Sequence, residues 1–471
     1  MASRGCLARS SHPAVASSQR LRLRVEPRFS CGNSGHCVRG VGFLKISTMA
    51  GIAAAVLLAG TALIVTGPAA GPKNRADAAR QAQAHARLAS VSTTSRHDVD
   101  YSLLDQQLQQ LMTRPTMVGL AVGVVENGRI TFLKGYGETL AGSNDAVTPE
   151  TVFRWASCSK GVAATMVAKL AEQGKVDLGA PVSVYNTTLR LPGGAEQRAS
   201  VTDLLSHRLG IYHNAYDDRL ESGEDPKQIR GELGGLDLVC QPGTCWNYEN
   251  VAYDAASEIV HNVTGNPYQQ VITRRLFDPI GMTSASVTRD GLMNSKSWAH
   301  PHNAGRREIE LSDDYYKIPA AGGVNSDIKD MALWMLAQMG EMPDVISPNV
   351  LNLLHARLVK TGNERRRIHM PADVVTDAWY GLGWRSYDYA GHAIVGHRGG
   401  VDGYRSLILF DPKLKSGVVA LWNSNTNQPG GLEFEVMDML YHRPFHDWLH
   451  IDQNGAPAPE TDETSDSGGS A

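Results

Sequence analysis

The sequence predicts an α/β protein of the α+β sandwich type: an antiparallel sheet flanked by helices, with a mostly helical subdomain inserted into it. Two observations carry this. Alternating, β-rich segments stand at both ends of the 98–450 stretch, MVGLAVGVV and ITFLKGYG early, HAIVGH, YRSLILFD and SGVVALWN late. Between them, from about 157 to 340, the apolar period is mostly helical. Strands far apart in sequence, with helices between, bury their faces most economically in one sheet closed by both chain ends. Composition permits such a core, since 42% of the 471 residues are apolar and 20% charged. Lys+Arg 45 against Asp+Glu 48 leaves a net −3, with no basic excess for a nucleic-acid interface. Six cysteines are too few for a disulfide-built mini-fold of this length.

Taken in order, residues 1–48 are a basic leader, with eight Arg and Lys (Arg4 to Lys45) against Glu26 alone. This segment reads as a cytoplasmic n-region, as a transit peptide, or as untranslated if Met49 is the start. Residues 49–70 carry no charge and are long enough to cross a bilayer as a helix. They predict a membrane anchor, with a cleaved signal as the alternative, and so a membrane-anchored or secreted protein with an extracytoplasmic catalytic domain. Mitochondrial targeting is the other reading. Residues 71–97 form a tether, 98–450 one folded domain, and 451–471 an acidic, disordered tail.

Within the domain, DVDYSLLDQQLQQLM predicts an amphipathic helix, and Asn127-Gly128 a hairpin turn. SKGVAATMVAKLAEQG, VTDLLSH, ENVAYDAASEIVHNVTG, NPYQQVITRRLF and SDIKDMALWMLAQM predict helices, with Ser326 capping the last of these. NVLNLLHARLV predicts another, ending at Lys360 with Gly362 as its C-cap. The final helix is LEFEVMDMLYHRPFHDWL, interrupted at Pro444.

The chemistry-bearing motif is Ser157-Cys158-Ser159-Lys160, an S-x-x-K at a helix start. Spacing of i, i+3 puts both side chains on one face, where a neutral lysine can take the seryl proton. The motif occurs again at Ser326–Lys329, where the cap reading suffices. Acylases of this type place a Tyr or Ser two residues before an Asn and border the site with a K-T-G strand. Tyr-x-Asn occurs at Tyr212–Asn214 and at Tyr248–Asn250. Only the second follows a Pro-Gly turn and precedes an apolar helix. Lys360–Gly362 and Lys415–Gly417 lack the strand edge, whereas His397-Arg398-Gly399-Gly400 follows one strand and precedes another.

FRWASCSKGVAATMVAKLAEQGKVDL, VTDLLSHRLGI, PGTCWNYENVAYDAASEIV, LFDPIGMTSAS, PAAGGVNSDIKDMALWM, YGLGW and GHRGGVDGYRSLILFDP occur in that order. Together they resemble the class C β-lactamase and DD-peptidase superfamily of serine hydrolases over about 98–450. The resemblance implies a β-lactamase/transpeptidase-like fold, with Ser157 as nucleophile, Lys160 as base and Tyr248 as second proton shuttle. It implies an oxyanion hole from the backbone N–H groups of Ser157 and Gly400. Asn250, His397, Arg398, Gly399 and Asn214 would contact substrate, the last from the stretch that faces the cleft in relatives. The chain departs from the family where His397 replaces the K-T-G lysine and Arg398 its threonine. A histidine is mostly neutral at pH 7 and anchors a carboxylate poorly, and strand alternation can aim Arg398 away.

The expected function is therefore a serine hydrolase on small-molecule amides, peptides or esters, working through a Ser157 acyl-enzyme and favoured over an efficient β-lactamase. The alternative is a penicillin-recognising, membrane-attached binding or scaffold protein with little turnover. No cofactor, metal or nucleic-acid partner is expected. Cys158 reads as a small packing residue, Phe153 and Trp155 as core, and His207 as a structural hydrogen-bonder. Cys240 and Cys245, flanking QPGT before Tyr248, stand either as a disulfide bracing that loop or as two thiols.

Overall fold

The computed structural model describes residues 97–361 and 374–451, all within one compact unit, Pro68–Ala471. The leader, the 49–70 segment, all of the tether but His97, Gly362 and the tail beyond Ile451 lie outside the described residues. Among the described residues no helix is long and apolar enough to cross a membrane.

Helix α1 (Tyr101–Leu111) starts where Asp100 accepts from the amides of Ser102 and Leu103, and it buries Leu104, Leu108 and Leu111. The hairpin follows as β1 (Gly119–Glu126) and β2 (Arg129–Gly137), with Asn127 and Gly128 both at positive φ as a tight turn demands. A short β3 (Phe153–Arg154) leads through a 3₁₀ turn, Ala156–Cys158, into α2 (Ser159–Glu172). The helical region continues with α3 (Val201–Leu205), α4 (Asp217–Glu221), α5 (Pro226–Glu232), α6 (Ala255–Thr264) and α7 (Pro319–Gly322). Then come β4 (Asn325–Ser326), which pairs with β3, α8 (Ile328–Gln338) and α9 (Pro348–Leu354). The chain returns to the sheet as β5 (Val359–Lys360), β6 (Val375–Tyr380), β7 (Arg385–Tyr389), β8 (His392–Val401), β9 (Tyr404–Asp411) and β10 (Ser416–Trp422), and α10 (Leu432–Leu440) follows.

Among the described residues one antiparallel sheet runs in the order β2-β1-β10-β9-β8-β7-β6-β5. The N-terminal hairpin thus pairs with the last strand, as the strand patterns at both ends require. Strand alternation splits the core in two. Ala121, Val125, Val395, Ile408, Phe410, Val419 and Leu421 face the helical region. Leu120, Val122, Val124, Ile394, Leu407, Leu409 and Val418 face α1 and α10. Each such fully buried aliphatic side chain contributes roughly 1.5–3 kcal/mol.

Four elements differ from the sequence expectation. The last helix stops at Leu440, ahead of Pro444, and no helix resumes over 442–449. The helix expected through Lys360 stops at Leu354, because the β6–β7 hairpin uses its carbonyls: Leu382 N–H donates to Leu354 O at 3.1 Å. Lys360 then lies on the edge strand β5, opposite Trp379. Asp327, not Ser326, caps α8, accepting from the Asp330 amide at 2.9 Å. Ser326 is pulled into β4, where its hydroxyl accepts from the Trp155 indole at 2.8 Å. Strands β6 and β7 had no sequence signal as a hairpin, their pattern being broken by the Gly381-Leu382-Gly383 turn.

Candidate active site

The two-residue strand β3 ends against the sheet and delivers Ser157 at the mouth of α2. Ala156, immediately before it, sits at φ 47°, a left-handed conformation that a residue with a Cβ adopts only under constraint. The constraint is visible. Trp155 is fully buried, its N–H donates to Val324 O, and the Ser406 hydroxyl donates to its carbonyl at 2.6 Å. Gly399 on β8 presses on the same turn, so that a Cβ there would lie 2.3 Å from Trp155 O and 2.9 Å from Ser157 N. Only glycine fits. Cys158 is buried on the far side, 3.2 Å from the Ser406 hydroxyl, a packing position.

Lys160 is wholly buried one helical turn on. Its Nζ is 2.6 Å from Asn250 Oδ1, 3.2 Å from Ala321 O and 3.3 Å from Ser157 Oγ. Tyr248 and Tyr253 rings flank it, with centres 4.5 and 5.5 Å from Nζ. Gly383, at φ 71°, lets the β6–β7 turn seat directly on the start of α2; a Cβ there would be 2.6 Å from Lys160 O. Asn250 Nδ2 in turn donates to Asp217 Oδ2 at 2.6 Å. Burial pushes the Asp217 carboxyl up to about 6, partly offset by the Asn250 hydrogen bond.

Tyr248 is buried beside His207, with ring centres 4.3 Å apart. The loop before it is stitched to the 207–214 stretch: Asn247 N–H donates to His207 O, and Asn214 N–H to Tyr248 O at 2.7 Å. Cys240 and Cys245 are disulfide-bonded, closing the QPGT loop.

His397 belongs to a buried hydrogen-bond chain whose directions are fixed by its ends. Glu249 N–H donates to His207 Nδ1 at 3.2 Å, so His207 carries its proton on Nε2, which faces Tyr380 Oη at 3.2 Å. At the far end His397 Nδ1 lies 2.6 Å from Arg398 O, a pure acceptor, so that nitrogen holds the proton. Tyr380 therefore donates its hydroxyl proton to His397 Nε2 at 3.1 Å. Both imidazoles are neutral, burial lowering each well below the ordinary histidine range. Burial likewise raises Glu249 well above the carboxylate range, so its 3.4 Å contact with His207 is between neutral groups. Tyr380→Phe removes the central donor and acceptor together. It should lower stability by about 1–3 kcal/mol in denaturant unfolding, the cost of stranding buried partners.

Ser157, Lys160, Tyr248, Asn250, His397 and Gly399 thus converge, and Gly400 follows on the same edge of β8. Among the described residues β7 pairs with β8 only as far as Gly396. Arg398 does not enter the cleft. Alternation turns it to the other face of the sheet, where its guanidinium pairs with the buried Glu433. Asn250 has both ends of its amide engaged within the protein, Oδ1 by Lys160 and one N–H of Nδ2 by Asp217. Asn214 stands at φ 53° and contributes its backbone to the Tyr248 loop. Sequence reasoning did not find Asp217, Tyr380, Arg385 or the Ala321 carbonyl. Tyr380 and Arg385 flank the Gly-Leu-Gly-Trp turn, and the Arg385 guanidinium, buried, lies 5.6 Å from the Tyr248 ring centre. Among the described residues no cluster of His, Cys, Asp or Glu is arranged to hold a metal ion.

The family model described as Beta-lactamase matches residues 104–437. Unguisins hydrolase ungD of Aspergillus violaceofuscus (strain CBS 115571) is 28% identical over 353 residues, covering 68% of this chain and 61% of that protein. Protein flp of Staphylococcus aureus (strain N315) is 25% identical over 334 residues, covering 69% and 63%. The chain spans about three-fifths of the length of these curated relatives. Among solved structures, the octameric penicillin-binding protein homologue from Pyrococcus abyssi superimposes with a TM-score of 0.65 at 24% identity, over 73% of this chain and 78% of that one. A D-stereospecific amidohydrolase from Streptomyces sp. gives 0.56 at 22% identity, over 69% and 95%. Both share the fold of this chain. With the family match covering well over half of its length, the chain belongs to the Beta-lactamase family.

Proposed function

We propose that the protein is a serine hydrolase that opens an amide or ester bond through an acyl-enzyme on Ser157. One observation carries the reading, the set of partners around Lys160 Nζ. A neutral amine has two N–H donors and one lone pair. Asn250 Oδ1 and Ala321 O are pure acceptors and can hold two N–H donors, while Ser157 Oγ, at 3.3 Å, can accept from an ammonium or, when the amine is neutral, donate to it. The site fits a lysine acting as base.

In the proposed reaction Ser157 Oγ attacks the substrate carbonyl carbon as its proton passes to Lys160. The carbonyl oxygen becomes an oxyanion facing the backbone N–H groups of Ser157 and Gly400. The C–N or C–O bond then breaks, and the leaving group collects a proton from Lys160, with Tyr248 as shuttle. Water next attacks the seryl ester, returning its proton to Ser157 and releasing the acid. His397 is neutral and Arg398 pairs with Glu433 on the other face, so neither supplies the charge of the K-T-G lysine, which supports a general amide or ester substrate. The relatives named a hydrolase and an amidohydrolase support the same reading.

A fluorophosphonate probe should label the wild type and leave Ser157→Ala unlabelled. Of nitrocefin, a p-nitrophenyl ester and a D-Ala-D-Ala peptide, at least one should give sustained product with the wild type alone. Labelling that persists in Ser157→Ala overturns the proposal. Stoichiometric labelling with no sustained product would instead favour a penicillin-recognising binding protein.

A further inference from the structure

We propose that Asp217 is a positioning residue of this reaction, holding the Asn250 amide in the one orientation that presents its oxygen to Lys160. The inference rests on the serine-hydrolase reading above and adds a residue to it. An asparagine amide has a donor end and an acceptor end of nearly the same shape, so its neighbours decide which way it faces. Here the neighbours are Lys160 Nζ, which brings N–H donors, and Asp217 Oδ2, an acceptor, each 2.6 Å from Asn250. Turned over, the amide would set N–H against N–H at Lys160 and oxygen against oxygen at Asp217. A second conformer is thereby removed.

The backbone is arranged to deliver this carboxylate. Asp217 is buried and opens α4, directly after a turn in which Asn214 and Tyr216 both hold left-handed φ, 53° and 61°. That turn is fastened to the Tyr-Glu-Asn segment itself. Asn214 N–H donates to Tyr248 O at 2.7 Å, and Asp217 N–H donates to Asn214 O at 3.1 Å. The segment carrying Tyr248 and Asn250 and the turn carrying Asp217 are thus joined through backbone hydrogen bonds. One N–H of Asn250 Nδ2 is held in this contact, and the amide oxygen is turned to the base.

The experiment uses the full chain and whichever panel substrate the wild type turns over, with kcat and KM measured separately. Asp217→Asn keeps an oxygen that can accept from Asn250 Nδ2 and should stay within about fivefold of wild-type kcat. Asp217→Leu removes the acceptor and should lower kcat by about 10–100-fold, with KM changed less than threefold, because the base and not the binding surface is displaced. In an Asn250→Ala background, Asp217→Leu should cost less than threefold more. Asp217→Leu within twofold of wild type overturns the inference. So does an equal loss in Asp217→Asn and Asp217→Leu, or full additivity with Asn250→Ala; each would make the role structural. Absence of Ser157-dependent labelling in the wild type itself marks failure of the hydrolase reading, and this proposal falls with it.

Discussion

Lys160→Met should lower kcat by roughly 10³–10⁴-fold while leaving Ser157 in place, the scale expected when a nucleophile loses its base. Methionine keeps a flexible, unbranched stem in this buried position but has neither an amine lone pair for the Ser157 proton nor donors for Asn250 Oδ1 and Ala321 O. Lys160→Arg is the informative partner. A guanidinium restores the charge and the donors, but it does not release a proton in the accessible pH range. If charge alone matters, arginine rescues; under the proposed mechanism, which needs a base, it should be as inactive as methionine. Combining Lys160→Met with Ser157→Ala should cost little beyond Ser157→Ala alone, because the two residues act as a unit. Steady-state and single-turnover kinetics on the same ester check all three. An active Lys160→Arg enzyme would contradict the mechanism.

Arg230→Met should be the most destabilising exchange away from the cleft, by about 3–5 kcal/mol at neutral pH. Arg230 on α5 is 1% exposed and pairs with Asp254 at 3.2 Å and Glu258 at 2.9 Å, both at the start of α6. It also donates to the Thr188 hydroxyl at 3.0 Å. Asp254 is equally buried and accepts the Ala320 amide at 2.8 Å, so this pair ties α5, α6 and α7 together behind Lys160. Burial already raises the Asp254 carboxyl to about 6 despite Arg230. A carboxyl raised above its unfolded value loses stability as pH rises through that window, since the folded form must give up a proton it holds more tightly. Without Arg230 the carboxyl rises further and the window widens upward. The deficit should therefore be largest at pH 7–8 and shrink toward pH 5, where Asp254 is protonated in both proteins. Urea midpoints across that range test it; a deficit that grows on acidification would contradict the assignment.

The motifs of the candidate site are legible because they are local or bounded by strong punctuation. Ser157 and Lys160 are one helical turn apart, and i, i+3 geometry needs no tertiary information. Tyr248 was separable from Tyr212 by the Pro242-Gly243 turn before it and the apolar helix after it. His397 was set apart from Lys360 and Lys415 by the apolar strand pattern leading into it, although Lys360, read as a helix end, also lies on a strand, the edge strand β5. The hairpin at Asn127-Gly128 and the late strands were equally plain, since alternation at period 2 survives in a half-buried sheet. Strands β6 and β7 were not, because a glycine-broken, aromatic-rich stretch satisfies neither period.

What no local pattern carries is where a polar side chain finds its partner. Asp217 stands in a five-residue helix among other acids, and only the fold sets it 2.6 Å from an amide 33 residues away. The His207–Tyr380–His397 chain joins three separate segments, and its proton directions follow from a backbone N–H at one end and a backbone carbonyl at the other. Arg398 shows the same division in one residue. The sequence by itself determined that this cation lies beside the cleft strand and that its side chain alternates with that of His397. Tertiary structure decided which face was the cleft, by placing α2 on one side of the sheet and Glu433 of α10 on the other. Short-range periodicity is written in the chain; the pairing of buried charges and hydrogen bonds depends on which distant surfaces meet.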